Sequence, residues 1–227
     1  MHNPHFLLLA LALLAYLIGS IPFGLIVGLA KGIDPRKVGS GNIGATNVGR
    51  LLGGKFFALV FSLDLLKGLL PMLAAAWFVH RHFPLPDAWV FIFWLLVGFA
   101  AILGHMFSLF IGFKGGKGVA TSVGVVFGLF PYFTLTGFVV TFVWLGFFFV
   151  SRYVSVASIA ASVAFPIAYA GLALLNHWPL IGQQFPLLVF TVVVGAMIVY
   201  KHRGNIARLR AGTEHQAGKN GSAPRKS

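Results

Sequence analysis

Three stretches of this chain combine glycine, hydroxyl and amide side chains with fixed positive charge. The first is Gly39-Ser40-Gly41-Asn42-Ile43-Gly44-Ala45-Thr46-Asn47-Val48-Gly49-Arg50. The second is Gly112-Phe113-Lys114-Gly115-Gly116-Lys117-Gly118, leading into Val119-Ala120-Thr121. The third runs from Tyr200-Lys201-His202-Arg203-Gly204-Asn205 to Gly212-Thr213-Glu214. Glycines let backbone N–H groups converge on an anion. Lys114, Lys117, Arg50 and Arg203 supply countercharge, the arginines as forks that match phosphate oxygens. Ser40, Asn42, Thr46, Asn47 and Asn205 can complete such a shell with hydroxyls and amides. Loops of this kind at one end of a helix assembly make a phosphate site. Three of them suit a substrate pair carrying two phosphates.

Competing patterns fail on their context. Gly39, Gly41 and Gly44 spell GxGxxG, but no predicted strand precedes them and no βαβ unit follows, so the pattern does not read as a dinucleotide site. Gly116-Lys117 is followed by glycine rather than Ser or Thr, so the second stretch is not a Walker A loop. His82 and Asp87 show an acyltransferase-like spacing, but Pro84 and Pro86 stand between them and the basic loops are elsewhere. His80 and His82 lack a third metal ligand. The absence of cysteine removes thiolate and iron–sulfur chemistry. No metal and no cofactor is implied.

The elements that position these loops must be built for lipid. The 227 residues are 58% hydrophobic and only 9% charged, with mean hydropathy +0.90. A water-soluble domain needs far more surface charge. The formal net charge of +13 would suggest nucleic acid in a soluble protein. Here the basic residues lie at the ends of apolar runs, which points to membrane orientation and phosphorylated ligands instead. The runs predict an all-α integral membrane protein with spans near 6–30, 54–79, 88–111, 119–131, 132–150, 154–175 and 185–200. Seven spans, with the N-terminus outside and the C-terminus cytoplasmic, place Lys31 to Lys55, Lys114 and Lys117, Arg152, and Lys201 onward on one side. Six spans would split them, so a break is expected at Pro131. The fourth helix is then short or tilted. Residues 1–214 read as one domain, and 215–227 as a polar basic tail without fixed structure. Within the second span, Asp64 and Lys67 stand one turn apart and read as a structural ion pair. His105 reads as a packing or hydrogen-bonding residue near the site.

The three loops resemble the signature motifs of the bacterial acyl-phosphate-dependent glycerol-3-phosphate acyltransferase family. The resemblance rests on Ser40 to Val48, Gly112 to Thr121, and His202-Arg203 with Asn205-Ile206. Gly19 to Gly24 and Leu63-Asp64 to Lys67-Gly68 fit as well. It covers residues 6–214. Gly49, where Leu is expected, and Ser108, where Pro is common, are departures. The resemblance implies an enzyme of the bacterial inner membrane with its active site on the cytoplasmic side. It implies acyl phosphate as donor and glycerol 3-phosphate as acceptor, with lysophosphatidate and phosphate as products. It further implies membrane lipid as a partner, and a functional link to the enzyme that makes acyl phosphate. It assigns activity to Ser40, Arg50, His202 and Asn205. Glycerol 3-phosphate binding falls to Lys114, Gly115, Gly116, Lys117 and Gly118, and Glu214 has a structural role.

For the proton on the attacking hydroxyl, the residues offer two acceptors. A substrate phosphate, with a second pKa of about 6, ranks first, and His202 second. The acyl chain requires an apolar slot, for which Gly124, Gly128, Ala157, Ala160 and Ala161 are candidates beside ordinary helix packing.

Overall fold

A computed structural model describes residues 4–218. In chain order the helices are α1 (Pro4–Ser20), α2 (Phe23–Ala30), α3 (Ala45–Leu52), α4 (Gly54–His82), α5 (Ala88–Met106), α6 (Val119–Gly128), α7 (Thr134–Ser151), α8 (Val154–Leu175), α9 (Phe185–Lys201) and α10 (Arg203–Arg210). The described residues contain no strand. Continuous apolar sequence forms helices because lipid offers no partner for backbone N–H and C=O groups.

Five helical segments are long and apolar enough to cross a bilayer: His5–Ala30, Gly54–His82, Ala88–Ile111, Thr134–Ser151 and Val154–Leu175. The pair α9–α10, bent by 52°, gives a sixth when taken as one broken span. The first of these is broken at Ile21-Pro22, where proline cannot donate to the helix. The expected break at Pro131 is present, since α6 ends at Gly128 and α7 starts at Thr134. With 10 residues, α6 rises only about 15 Å, half the ~30 Å hydrocarbon thickness.

Two stretches read as loops from the sequence are partly helical. α3 occupies the second half of the first glycine-rich stretch, and α10 occupies the third. Of the polar tail, residues 219–227 lie outside the described residues. Before them, the Ala217 N–H donates to the Arg152 carbonyl at 2.8 Å.

The helices pack in two groups. One holds α1, α4, α5 and α6; the other holds α7, α8 and α9, which meets the first mainly where α9 touches α5. Within the first group, glycines let backbones approach closely. A Cβ on Gly19 would stand 2.3 Å from the Ala101 carbonyl, and one on Gly124 would stand 2.1 Å from the Leu65 carbonyl. Close contact through small residues is how helices associate where the surrounding lipid is as apolar as leucine. Gly124, Gly128 and Ala157, candidates for an acyl slot, are therefore packing residues: Gly128 faces Met72 of α4, and Ala157 is fully buried. The outer face of α7 carries exposed Phe138, Phe142, Phe147 and Phe149, as a lipid-facing helix should.

Candidate active site

A cavity of about 440 Å³ lies between the two helix groups, a volume typical of small-molecule sites. One end is polar. There it is lined by Ser40, Arg50, Lys117, His202, Asn205 and Glu214, so all three glycine-rich stretches meet at it. The other end is an apolar arm between α6, α7, α8 and α9, with Val123, Val140, Trp144, Ala161 and Phe165 on its walls.

The first stretch is shaped by one buried amide. Asn47 Nδ2 donates to the carbonyls of Pro35 (3.0 Å), Val38 (3.2 Å) and Asn42 (2.9 Å). Its Oδ1 accepts from the Ser40 N–H at 2.9 Å. Gly39 packs against this amide at φ +66, where a Cβ would stand 2.4 Å from Oδ1. Asn47 thus holds the turn that presents Ser40. Asn42 Oδ1 accepts from the Gly44 N–H at 2.8 Å, which shapes the entry to α3. On α3, Arg50 faces the cavity and donates to the His215 carbonyl at 3.3 Å. Gly49 has a packing reason: a Cβ there would stand 2.5 Å from Phe57 Cβ on α4.

The second stretch folds back over the end of α5. The Gly116 N–H donates to the His105 carbonyl at 3.0 Å, and the Gly115 N–H to that of Met106 at 3.2 Å. Neither glycine lines the cavity, nor does exposed Lys114. Their turn delivers Lys117 and Gly118 to the cavity wall. The Ser108 hydroxyl donates to the Ser20 carbonyl, which ties the start of this loop to the end of α1.

The third stretch locks the polar end together. Lys117 Nζ donates to Asn205 Oδ1, and Asn205 Nδ2 donates to Glu214 Oε1 at 2.6 Å. Lysine can only donate and a carboxylate can only accept, so this chain fixes the amide orientation. Ser155 Oγ donates to the same Oε1 at 2.9 Å, and Arg208 Nε to Oε2 at 2.8 Å. Burial pushes the Glu214 carboxyl upward, but the bonds from Asn205, Ser155 and Arg208 outweigh it and hold the group below its ordinary range. Glu214 is therefore a charged anchor for three side chains. His202 is buried, and its Nδ1 lies 2.8 Å from the Ile198 carbonyl. A carbonyl accepts only, so Nδ1 carries the proton and Nε2 keeps a lone pair. Arg203 lies outside the cavity wall, stacked on the Tyr200 ring at 4.5 Å.

The charge of Lys117 is open to pH. Burial lowers its ammonium from 10.5 to about 8; Glu214 opposes that, and Arg208 and Arg50 add to it. A lysine with a lowered pKa is charged below that value and neutral above it. If its charge holds a substrate phosphate, kcat/KM falls as pH rises through about 8. In Lys117→Arg this alkaline limb disappears, since guanidinium keeps its proton. Initial rates at low glycerol 3-phosphate, from neutral to alkaline pH, check both outcomes.

Three cavity-lining positions of α8 escaped the sequence reading. Ser155, Ser158 and Ser162 of α8 line the cavity. Their i, i+3, i+7 spacing on an otherwise apolar helix was the available signal. Asp64 and His105 also reach the cavity wall. Asp64 pairs with Lys67 at 2.8 Å and stands 3.5 Å from His105 Nδ1. Lys67 also donates at 2.9 Å to the Ile21 carbonyl at the Ile21-Pro22 break, which accepts from the Phe23 N–H as well. His82 and Asp87 do not act together: His82 Nδ1 bonds the Phe78 carbonyl, and Asp87 caps α5 by accepting from the Val90 N–H at 2.9 Å.

The model of the family described as glycerol-3-phosphate acyltransferase matches residues 9–212. A glycerol-3-phosphate acyltransferase of Aquifex aeolicus is 48% identical over 209 residues, covering 92% of this chain and 98% of that protein. The enzyme of that description from Geotalea daltonii is 45% identical, over 88% of this chain and 93% of its own. Among solved structures, PlsY (YgiH), an integral membrane glycerol 3-phosphate acyltransferase, matches in its glycerol 3-phosphate form. Its TM-score is 0.78 at 45% identity, over 93% of this chain and 96% of that one. Its lysophosphatidic acid form matches with a TM-score of 0.74. With the three glycine-rich stretches gathered at one cavity and a match along almost its whole length, this chain belongs to the glycerol-3-phosphate acyltransferase family.

Proposed function

We propose that the enzyme transfers a fatty acyl group from acyl phosphate to the sn-1 hydroxyl of glycerol 3-phosphate. The products are 1-acyl-glycerol 3-phosphate (lysophosphatidate) and inorganic phosphate, in the first step of phospholipid synthesis. The observation that carries this reading is the cavity with two unlike ends. Its polar end offers Arg50 and Lys117 for phosphate groups, and its apolar arm offers a slot for a fatty chain. The reacting carbonyl belongs at the junction.

In this mechanism the sn-1 oxygen attacks the mixed-anhydride carbonyl. A new C–O ester bond forms, the C–O bond to phosphate breaks, and phosphate leaves with the electron pair. Arg50 and Lys117 balance the charge of two phosphates brought together and hold them in line. Ser40, presented by Asn47, and Asn205, presented by Glu214, orient the substrates through hydrogen bonds. The hydroxyl proton passes to a substrate phosphate, with second pKa about 6. His202 Nε2 is the alternative acceptor. With phosphate as acceptor, His202→Gln lowers kcat but leaves the acid limb of the pH–rate profile in place. Loss of that limb with a drop of about 10²-fold or more would assign the proton to His202.

The reading includes seven spans with the N-terminus outside and the polar end on the cytoplasmic side of the bacterial inner membrane; the gathering of basic residues at Lys31 to Lys55, Lys117 and Lys201 onward supports it. In that topology α6 crosses with the help of the turn before α7. An acyl phosphate donor requires a partner enzyme that makes it. Purified protein in detergent, given glycerol 3-phosphate with either palmitoyl phosphate or palmitoyl-CoA, tests the donor. Lysophosphatidate is expected from palmitoyl phosphate alone, and product from the CoA ester alone would overturn that assignment.

A further inference from the structure

The apolar arm has a floor. On α8 the cavity-lining residues descend from Ser155 through Ser158 and Ala161 to Phe165, the deepest on that helix. Ten residues at ~1.5 Å each put Phe165 about 15 Å below Ser155. Val194 of α9 and Gly137 of α7 are the corresponding last residues on their walls. At Gly137 the α6 and α7 walls close together, since a Cβ there would stand 3.0 Å from Val126 Cγ1. Behind Phe165 lies Phe133, fully buried in the α6–α7 connection, with ring centroids 5.4 Å apart. Phe133 is itself wedged against Tyr169 at 5.3 Å and Phe190 at 5.9 Å. Four interlocked rings do not yield readily to a passing chain, because protein interiors are close-packed.

We infer that this aromatic floor, Phe165 backed by Phe133, sets the acyl chain length that the enzyme accepts. The inference rests on the acyl-transfer reading above. An extended hydrocarbon advances roughly 1.25 Å per carbon, given a C–C bond of ~1.5 Å. The arm therefore takes about twelve carbons straight before the chain end meets Phe165, and each further carbon must bend or be left outside. Specificity of this kind arises where binding differs between neighbouring chain lengths.

The test uses the full-length protein with a homologous series of acyl phosphates, from octanoyl to stearoyl, at fixed glycerol 3-phosphate. Phe165→Ala removes the floor and moves the longest well-used donor out by two or more carbons. Ala161→Leu raises a new floor one turn higher and moves it in by about four carbons, a turn being ~5.4 Å. Should Phe165→Ala fail to fold, Phe165→Leu and Ala161→Leu carry the test, with shifts of the same signs. Transfer by parent and variants with one unchanged chain-length profile would overturn the inference alone. No transfer by the parent from any member of the series would overturn the acyl phosphate donor reading on which this inference rests.

Discussion

Lys117→Ala lowers kcat/KM for glycerol 3-phosphate by about 10²–10³-fold, the usual loss when one preorganised electrostatic contact to a reacting group is removed. Two effects combine. The polar end loses one of the two cations that line it, and Asn205 Oδ1 loses its donor. Asn205 stays tethered to Glu214, so the fold around it is kept. Lys117 is half-buried in a loop rather than in the core, and its loss leaves thermal stability near that of the parent. Steady-state kinetics with separate kcat and KM check the prediction. A KM and kcat both within about threefold of the parent would remove Lys117 from the machinery.

Asp64→Ala destabilises the protein by about 3–5 kcal/mol, the range for breaking a buried ion pair by deleting one partner. As side chains Lys67 is 3% exposed and Asp64 4%, and His105 stands 3.5 Å from the same carboxylate. Removing Asp64 leaves the Lys67 charge without a counterion, with the Ile21 carbonyl and the Phe23 ring as its remaining partners. That carbonyl belongs to the break between α1 and α2, so loss of order there accompanies the loss of stability. Thermal unfolding in detergent reads the effect as a fall in Tm. Replacing both partners, as Asp64→Leu with Lys67→Met, recovers part of the loss, because no uncompensated charge is left behind. A single variant as stable as the parent would contradict the structural role of this pair.

The membrane architecture was open to reading from the sequence because lipid imposes one rule on every residue of a span. The apolar runs around Ala88, Val154 and Phe185 became helices with ends within a few residues of those expected. The gathering of the three glycine-rich stretches was equally legible, since glycine, amide and cation together have few other uses. What the sequence hid has physical causes. α3 and α10 are eight residues each, and their glycines and charges obscure helical periodicity. Asn47 reads as a ligand by type, yet its hydrogen bonds to Ser40, Pro35, Val38 and Asn42 go to backbone, which only a folded turn can reveal. Lys114 and Lys117 are alike in sequence. The turn over His105 sends only Lys117 inward. The serines of α8 matter because Glu214, some sixty residues onward, folds back to meet Ser155.

The central claim is that one cavity holds phosphate at its polar end and the fatty chain in its apolar arm. A structure of the protein with glycerol 3-phosphate and a non-hydrolysable acyl phosphonate tests it most directly. Phosphate oxygens are expected on Arg50 and Lys117, with the chain running between α6, α7, α8 and α9 toward Phe165. Phosphate bound elsewhere, between helices near the middle of the membrane and away from Arg50 and Lys117, would contradict it.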